Sequence, residues 1–259
     1  MTVNMGNKEE ITLFGSEKGW RSSDWTASDD RVRGGKSQSY LEISGSSARF
    51  HGTLDIKTLG GAGFASQRTI TESETWDLSD YDGIRLDIGK SDGKKYTIIV
   101  KDELLPRNPE NGREQATISY EYDFAVDESA VIESTSIFVP WKDLVPKYRG
   151  KEKNDAPKFD TKNGKRFSIM MRSFFGDQKG DFSLTIESIK AVSLSTHLEK
   201  GSVGEVGKSL PKPTLRNFNR RSSAAATLGV ILSFGIVYAA YLAFYPLFRD
   251  SYHMRAWRQ

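Results

Sequence analysis

Between residues 10 and 195, apolar and polar positions alternate in short runs, the period-two pattern of strands that bury one face. The runs are Gln38–Ser44 (QSYLEIS), Ala48–Leu54 (ARFHGTL), Phe64–Ile70 (FASQRTI), Ile84–Ile88 (IRLDI), Tyr96–Val100 (YTIIV), Thr117–Phe124 (TISYEYDF), Ser136–Val139 (SIFV), Phe167–Arg172 (FSIMMR) and Phe182–Ile189 (FSLTIESI). In TISYEYDF, Ile118, Tyr120, Tyr122 and Phe124 share one face while Ser119, Glu121 and Asp123 share the other, which predicts a half-buried antiparallel strand. Turn formers separate the runs, among them Gly45, Gly60–Gly61, Asp82–Gly83, Asn111–Gly112 and Asn163–Gly164. Asp92–Gly93, between two runs, reads as a hairpin turn. Trp141–Pro157, charged and carrying Pro146 and Pro157, reads as a short helical turn and a mobile loop. No amphipathic helix of three or more turns precedes residue 200, so the pattern predicts an all-β sandwich or jelly roll over residues 10–197.

The pattern changes near the C-terminus. Ala224–Phe248 is a run of 25 residues without a charge. At about 1.5 Å per residue, a helix of that length exceeds the roughly 30 Å hydrocarbon core of a bilayer. Residues 224–248 are therefore expected to form one transmembrane helix, with Tyr238, Tyr241 and Tyr245 near the interface. A Gly- and Pro-containing basic linker, residues 198–223, precedes it. Lys212, Arg216, Arg220 and Arg221 are candidates for lying over anionic headgroups, or serve simply as topology charge. A short basic tail, 249–259, follows. The excess of cations before the span predicts that the large domain stays on the cytosolic side. Residues 1–9 read as a flexible N-terminus. The opening stretch has no apolar signal core and no Arg before Arg21, unlike a matrix presequence, so a tail-anchored protein is expected.

Charge sharpens this division. The chain carries a formal net charge of +3, but residues 208–259 hold a net +7 and residues 1–207 a net −4. A mildly acidic main domain is a poor phosphate-tracking surface, so no nucleic-acid partner is expected. There is no cysteine, which excludes disulfides, thiolate nucleophiles and Cys-based metal sites.

Candidate chemistry is sparse. The densest segment, Trp20–Tyr40, gathers Trp25, Asp29, Asp30, Arg31, Arg33 and the pair Gly34–Gly35. It reads either as a rim loop that binds a partner through its Trp and Arg residues, or as a loop folded back on the sandwich with Asp–Arg pairs and a buried Trp. Gly35-Lys36-Ser37 imitates a phosphate-binding loop, but Asp30 stands where the first glycine is needed. Gly61-Ala-Gly63 imitates a dinucleotide fingerprint, yet Ser66 replaces the third glycine and a strand follows. His51, His197 and His253 lie far apart, and no nucleophile elbow is present. No catalytic residue, metal ligand or cofactor is assigned. Arg68 and Trp141 join the segment above as candidates for partner contact.

An ordered set of segments resembles the complex I intermediate-associated protein 30 family. It starts with Trp25 and Asp30-Arg31-Val32-Arg33-Gly34-Gly35-Lys36-Ser37, similar to that family's Asp-x-Val-x-Gly-Gly-x-Ser element. It continues through Phe50-His51-Gly52-Thr53-Leu54, Gly63-Phe64-Ala65-Ser66-Gln67-Arg68, Asp77–Ile84 and Gln178–Ile186. The resemblance implies a galactose-binding-like jelly roll, a mitochondrial setting (the endoplasmic reticulum is the alternative for an anchor of this kind), and a non-enzymatic role in assembling respiratory complex I. The expectation is a membrane-tethered assembly factor or chaperone with a protein client. The competing reading is a carbohydrate- or ligand-binding module of the same fold.

Overall fold

A computed structural model of the chain describes residues 9–70, 74–127 and 135–194. Among these residues, thirteen strands form two antiparallel sheets. The first sheet contains β1 (Glu10–Gly15), β3 (Gln38–Ser44), β4 (Ser47–Leu54), β6 (Gly83–Ser91), β9 (Thr135–Pro140) and β13 (Gly180–Val192). Its order is β3-β4-β13-β6-β9, with β1 pairing the second half of β13. The second sheet runs β11 (Lys151–Glu152), β10 (Val145–Tyr148), β8 (Ser119–Ala125), β7 (Lys95–Lys101), β12 (Arg166–Arg172), β5 (Phe64–Thr69), β2 (Trp25–Ala27). All nine strands expected from the alternation are present. Among the described residues up to Ser193, helical structure is confined to short 3-10 turns.

The inner faces of the sheets build one core. Phe50, Leu184, Ile186 and Leu86 from the first meet Tyr96, Ile98, Phe167, Ile169 and Met171 from the second, all nearly inaccessible to water. Aromatic edges lock the layer: Phe50 lies 5.0 Å from Phe182 and 6.1 Å from Tyr96 between ring centroids. Burying a side chain of this size is worth about 1.5–3 kcal/mol, so the core alone offsets much of the ordering entropy in a chain without disulfides.

Two sequence expectations need correction. The Asp92–Gly93 turn does not make a hairpin: β6 belongs to the first sheet and β7 to the second, so the turn carries the chain across the sandwich. Asp92 fixes that crossing. Its carboxylate accepts from Tyr96 Oη (2.8 Å), Lys94 Nζ (3.0 Å) and the Ser183 N–H (3.0 Å) on β13. Likewise Trp141–Pro157 is not a loop. After a 3-10 turn at Trp141–Asp143 it forms β10 and β11, and β10 extends the second sheet beside β8. Pro146 lacks an N–H to give, but its carbonyl still accepts from Lys153 (3.0 Å).

Among the described residues no helix is long and apolar enough to cross a membrane. The expected span 224–248, and Lys212, Arg216, Arg220 and Arg221 before it, lie outside the described residues.

Candidate functional site

The outer face of the second sheet is not an ordinary wet face. On β12 the inward residues are Phe167, Ile169 and Met171, and the outward ones are Arg166, Ser168, Met170 and Arg172. Arg166 and Ser168 are nevertheless buried. The cause is a set of walls around the sheet: residues 114–117, the β10–β11 hairpin, and residues 173–175. They enclose a cleft of about 600 Å³ floored by β5, β12, β7 and β8. Seven Lys or Arg and four Asp or Glu line it, a net of +3 on a domain whose sequence is acidic.

Strand register arranges these charges in two groups. At the centre, Glu121 of β8 is buried between Arg172 of β12 (2.5 Å) and Lys147 of β10 (3.2 Å). Arg172 also bonds Thr97 (3.0 Å) and lies 5.5 Å from the Phe174 ring. At one end, Arg68 of β5 and Arg166 of β12 share Glu114, at 2.6 and 2.9 Å. Lys101 of β7 stands in register with Arg166 and donates to Thr117 Oγ1 (3.0 Å). Burial pushes the Lys101 ammonium below its usual range, and the neighbouring Arg166 charge pushes it further the same way. At the rim Phe175 is 99% exposed, and both it and Phe174 hold left-handed backbone (φ 62° and 45°).

Two of the candidates chosen from the sequence line this cleft and the others lie elsewhere. Arg33 and Arg68 line the cleft, Arg33 lying 5.5 Å over the Phe64 ring. Arg31 is exposed beside Asp29 (3.2 Å). Trp141 is half-buried and donates its indole N–H to the Tyr81 carbonyl (2.7 Å), with its ring against Phe159. Trp25 is buried against Phe14 and Trp20.

Asp29 and Asp30 are also buried, which removes them from any contact surface and explains the motif that contains them. Asp30 accepts from the Ser37 N–H (3.0 Å), Ser37 Oγ (2.6 Å) and the Phe64 N–H (3.1 Å). Asp29 accepts from Ser39 Oγ (2.6 Å) and the Ser66 N–H (2.9 Å). The two carboxylates pin residues 28–37 to β3 and β5. Gly35 must lack a side chain because a Cβ there would fall 2.2 Å from Asp30 Oδ1. The Asp-x-Val-x-Gly-Gly-x-Ser element is thus a folding device whose last residue closes onto its first.

Lys101, Glu114, Glu121, Lys147, Arg166 and Arg172 escaped the sequence reading. For Lys101, Arg166 and Arg172 a signal was present: the charges at the ends of KYTIIVK and RFSIMMR sit on the polar parity of two neighbouring strands. Among the described residues, no group of three or more His, Asp or Glu is placed to hold a metal ion.

A family model described as complex I intermediate-associated protein 30 matches residues 12–186. The uncharacterized protein C9E9.15 of Schizosaccharomyces pombe is 46% identical over 187 residues, covering 70% of this chain and 84% of that protein. Among solved structures, the chain is similar to the family 11 carbohydrate-binding module of the cellulosomal cellulase Lic26A-Cel5E of Clostridium thermocellum. That match has 16% identity, covers 71% of this chain and 94% of the module, and gives a TM-score of 0.49. The same family's module in complex with a β-1,3-1,4-mixed-linked tetrasaccharide matches at 14% identity, over 71% and 96%, with a TM-score of 0.47.

Proposed function

Because the chain belongs to the complex I intermediate-associated protein 30 family, we propose that it is a non-enzymatic assembly factor that holds a protein client, by the family's name an intermediate of respiratory complex I, against the outer face of its seven-stranded sheet. The family match over residues 12–186 carries this reading, since it takes in the whole cleft floor and its walls. The cleft suits a holding role: it is open and mixed in charge, and its side chains are already fixed by ion pairs, so little ordering is lost on binding. We read the two sheets as the galactose-binding-like jelly roll that the family resemblance implies.

The same proposal includes tethering. The uncharged run 224–248 supports a single span, and a tethered domain meets a membrane-protein client at raised effective concentration. The flanking cations favour a cytosolic position for the domain, on the mitochondrial surface by family resemblance and otherwise on the endoplasmic reticulum. Affinity purification of the tagged full-length chain from detergent-solubilised membranes is expected to recover a defined set of membrane-complex subunits. Recovery of the bait alone in several detergents would refute the assembly role.

A further inference from the structure

The floor of the cleft carries an apolar line between its charges. On β7, β12 and β5 the outward residues Ile99, Met170 and Phe64 are diagonal neighbours: Ser168 stands opposite Ile99, Ser66 opposite Met170 and Arg172 opposite Phe64. A serine beside Ile99 and another beside Met170 leave a trough along the line. Accessibility rises along it, from buried Ile99 through half-buried Met170 and Phe64 to the bare ring of Phe175 at the rim. Glu121 is already matched by Arg172 and Lys147, so these charges border the trough.

Hydrogen bonds hold the rim in place. The Gln178 amide donates to the carbonyls of Arg172 (2.6 Å) and Lys95 (2.8 Å) and accepts from the Lys95 N–H (3.1 Å), and the Ser173 N–H donates to Gly63 (3.0 Å). They fix the Phe174–Phe175 turn in left-handed backbone with one ring in water, a strained arrangement of the kind found at ligand clamps. Beside it, Arg33 lies over Phe64 and Lys95 lies 4.7 Å over Phe174, and neither has a carboxylate partner among the described residues.

Spacing selects the form of the occupant. Diagonal neighbours on a sheet are about 7–8 Å apart. Alternate side chains of an extended chain recur every ~7 Å, whereas neighbours on one helix face are about 5–6 Å apart. A flat bilayer touching Phe175 would miss Met170 below the rim, while a peptide segment reaches both. We infer that the client enters this cleft as an extended segment crossing the strands diagonally, with apolar side chains at alternate positions on Met170 and Phe64 and a carboxylate beside Arg33 and Lys95. This deepens the client-holding reading and rests on it.

The test uses the full-length protein and two labelled synthetic decapeptides of the same composition, Asp, Leu and Ser, followed by fluorescence anisotropy. In one the leucines alternate with serine after a pair of aspartates; in the other they stand three and four residues apart. The alternating peptide is expected to bind at least ~5-fold more tightly. Met170→Gln puts a polar amide on the floor at nearly constant size and is expected to weaken that binding about tenfold. Phe175→Gly relieves the turn and is expected to weaken it about threefold while the melting temperature rises. Equal or absent binding of the two peptides overturns the inference, as does unchanged binding in either variant. A mixed-linked β-glucan oligosaccharide bound in place of the peptides also overturns it. The two readings fail separately. Client recovery with no preference between the peptides sinks the extended segment and spares the assembly role, whereas the expected peptide pattern with no client recovered does the reverse.

Discussion

Lys101 and Arg166 face each other in register across β7 and β12, two cations on the floor of one cleft, Arg166 bonded to Glu114 (2.9 Å) and Lys101 to Thr117 Oγ1 (3.0 Å). A sheet gains nothing from this arrangement. Lys101→Met is therefore expected to stabilise the fold by about 1 kcal/mol near neutral pH, read as a higher denaturant midpoint. The folded-state pKa of Lys101 is depressed, so between that value and the ordinary 10.5 the unfolded chain binds the extra proton. Wild-type stability gains with pH across that window. The advantage of the Met variant consequently shrinks as pH rises toward 10.5, and an advantage that grows would contradict the assignment.

Asp92 gives the opposite pH signature. Burial alone would raise its pKa, but hydrogen bonds from Lys94, Tyr96 and the Ser183 N–H outweigh that and hold it below 3.8. Its stabilisation is complete above the unfolded value and disappears as pH falls through the folded one. Asp92→Asn is expected to cost about 1–2 kcal/mol at neutral pH. The gap from wild type should close only below about pH 3.8, as urea titrations at successive pH values can establish.

Asp30 is predicted to matter for folding and not for contact. Asp30→Ala strands the Ser37 and Phe64 N–H groups and should cost about 3 kcal/mol or more. Circular dichroism melts measure that loss. Client capture per folded molecule should be unaltered.

Phe175 joins strain to exposure. A bulky residue with φ 62° is held at a cost of about 1–2 kcal/mol that glycine escapes. Phe175→Gly is expected to raise the melting temperature and to reduce client recovery. A variant both more stable and equally good at capture would show that the ring serves no partner.

The strands were legible because alternation needs only a buried face, and QSYLEIS corresponds to β3 residue for residue. Alternation does not report what rises around the other face. Ser119, Glu121 and Asp123 were assigned correctly to the polar side of their strand, yet Glu121 lies buried because the β10–β11 hairpin and its Lys147 cover it. That hairpin was invisible in its own sequence, where Pro146 and neighbouring charges replace the apolar repeat. Asp92–Gly93 had the chemistry of a tight turn, but nothing local states whether the flanking strands pair or separate. The Trp20–Tyr40 segment could be read as a contact loop or as a loop folded back with Asp–Arg pairs and a buried Trp, and it takes the second form: Trp25 is buried and Arg31 pairs with Asp29. Its two aspartates turn inward, since the N–H groups of Ser37, Phe64 and Ser66 need acceptors there.

Site-specific photocrosslinking tests the docking face most directly. A photoreactive phenylalanine is placed at Phe175 on the cleft rim or at Tyr40, which is 49% exposed on β3 of the other sheet. In full-length protein on native membranes, position 175 should yield a discrete client adduct and position 40 none. Equal labelling from both positions, or an adduct from Tyr40 alone, would contradict a client held on the seven-stranded sheet.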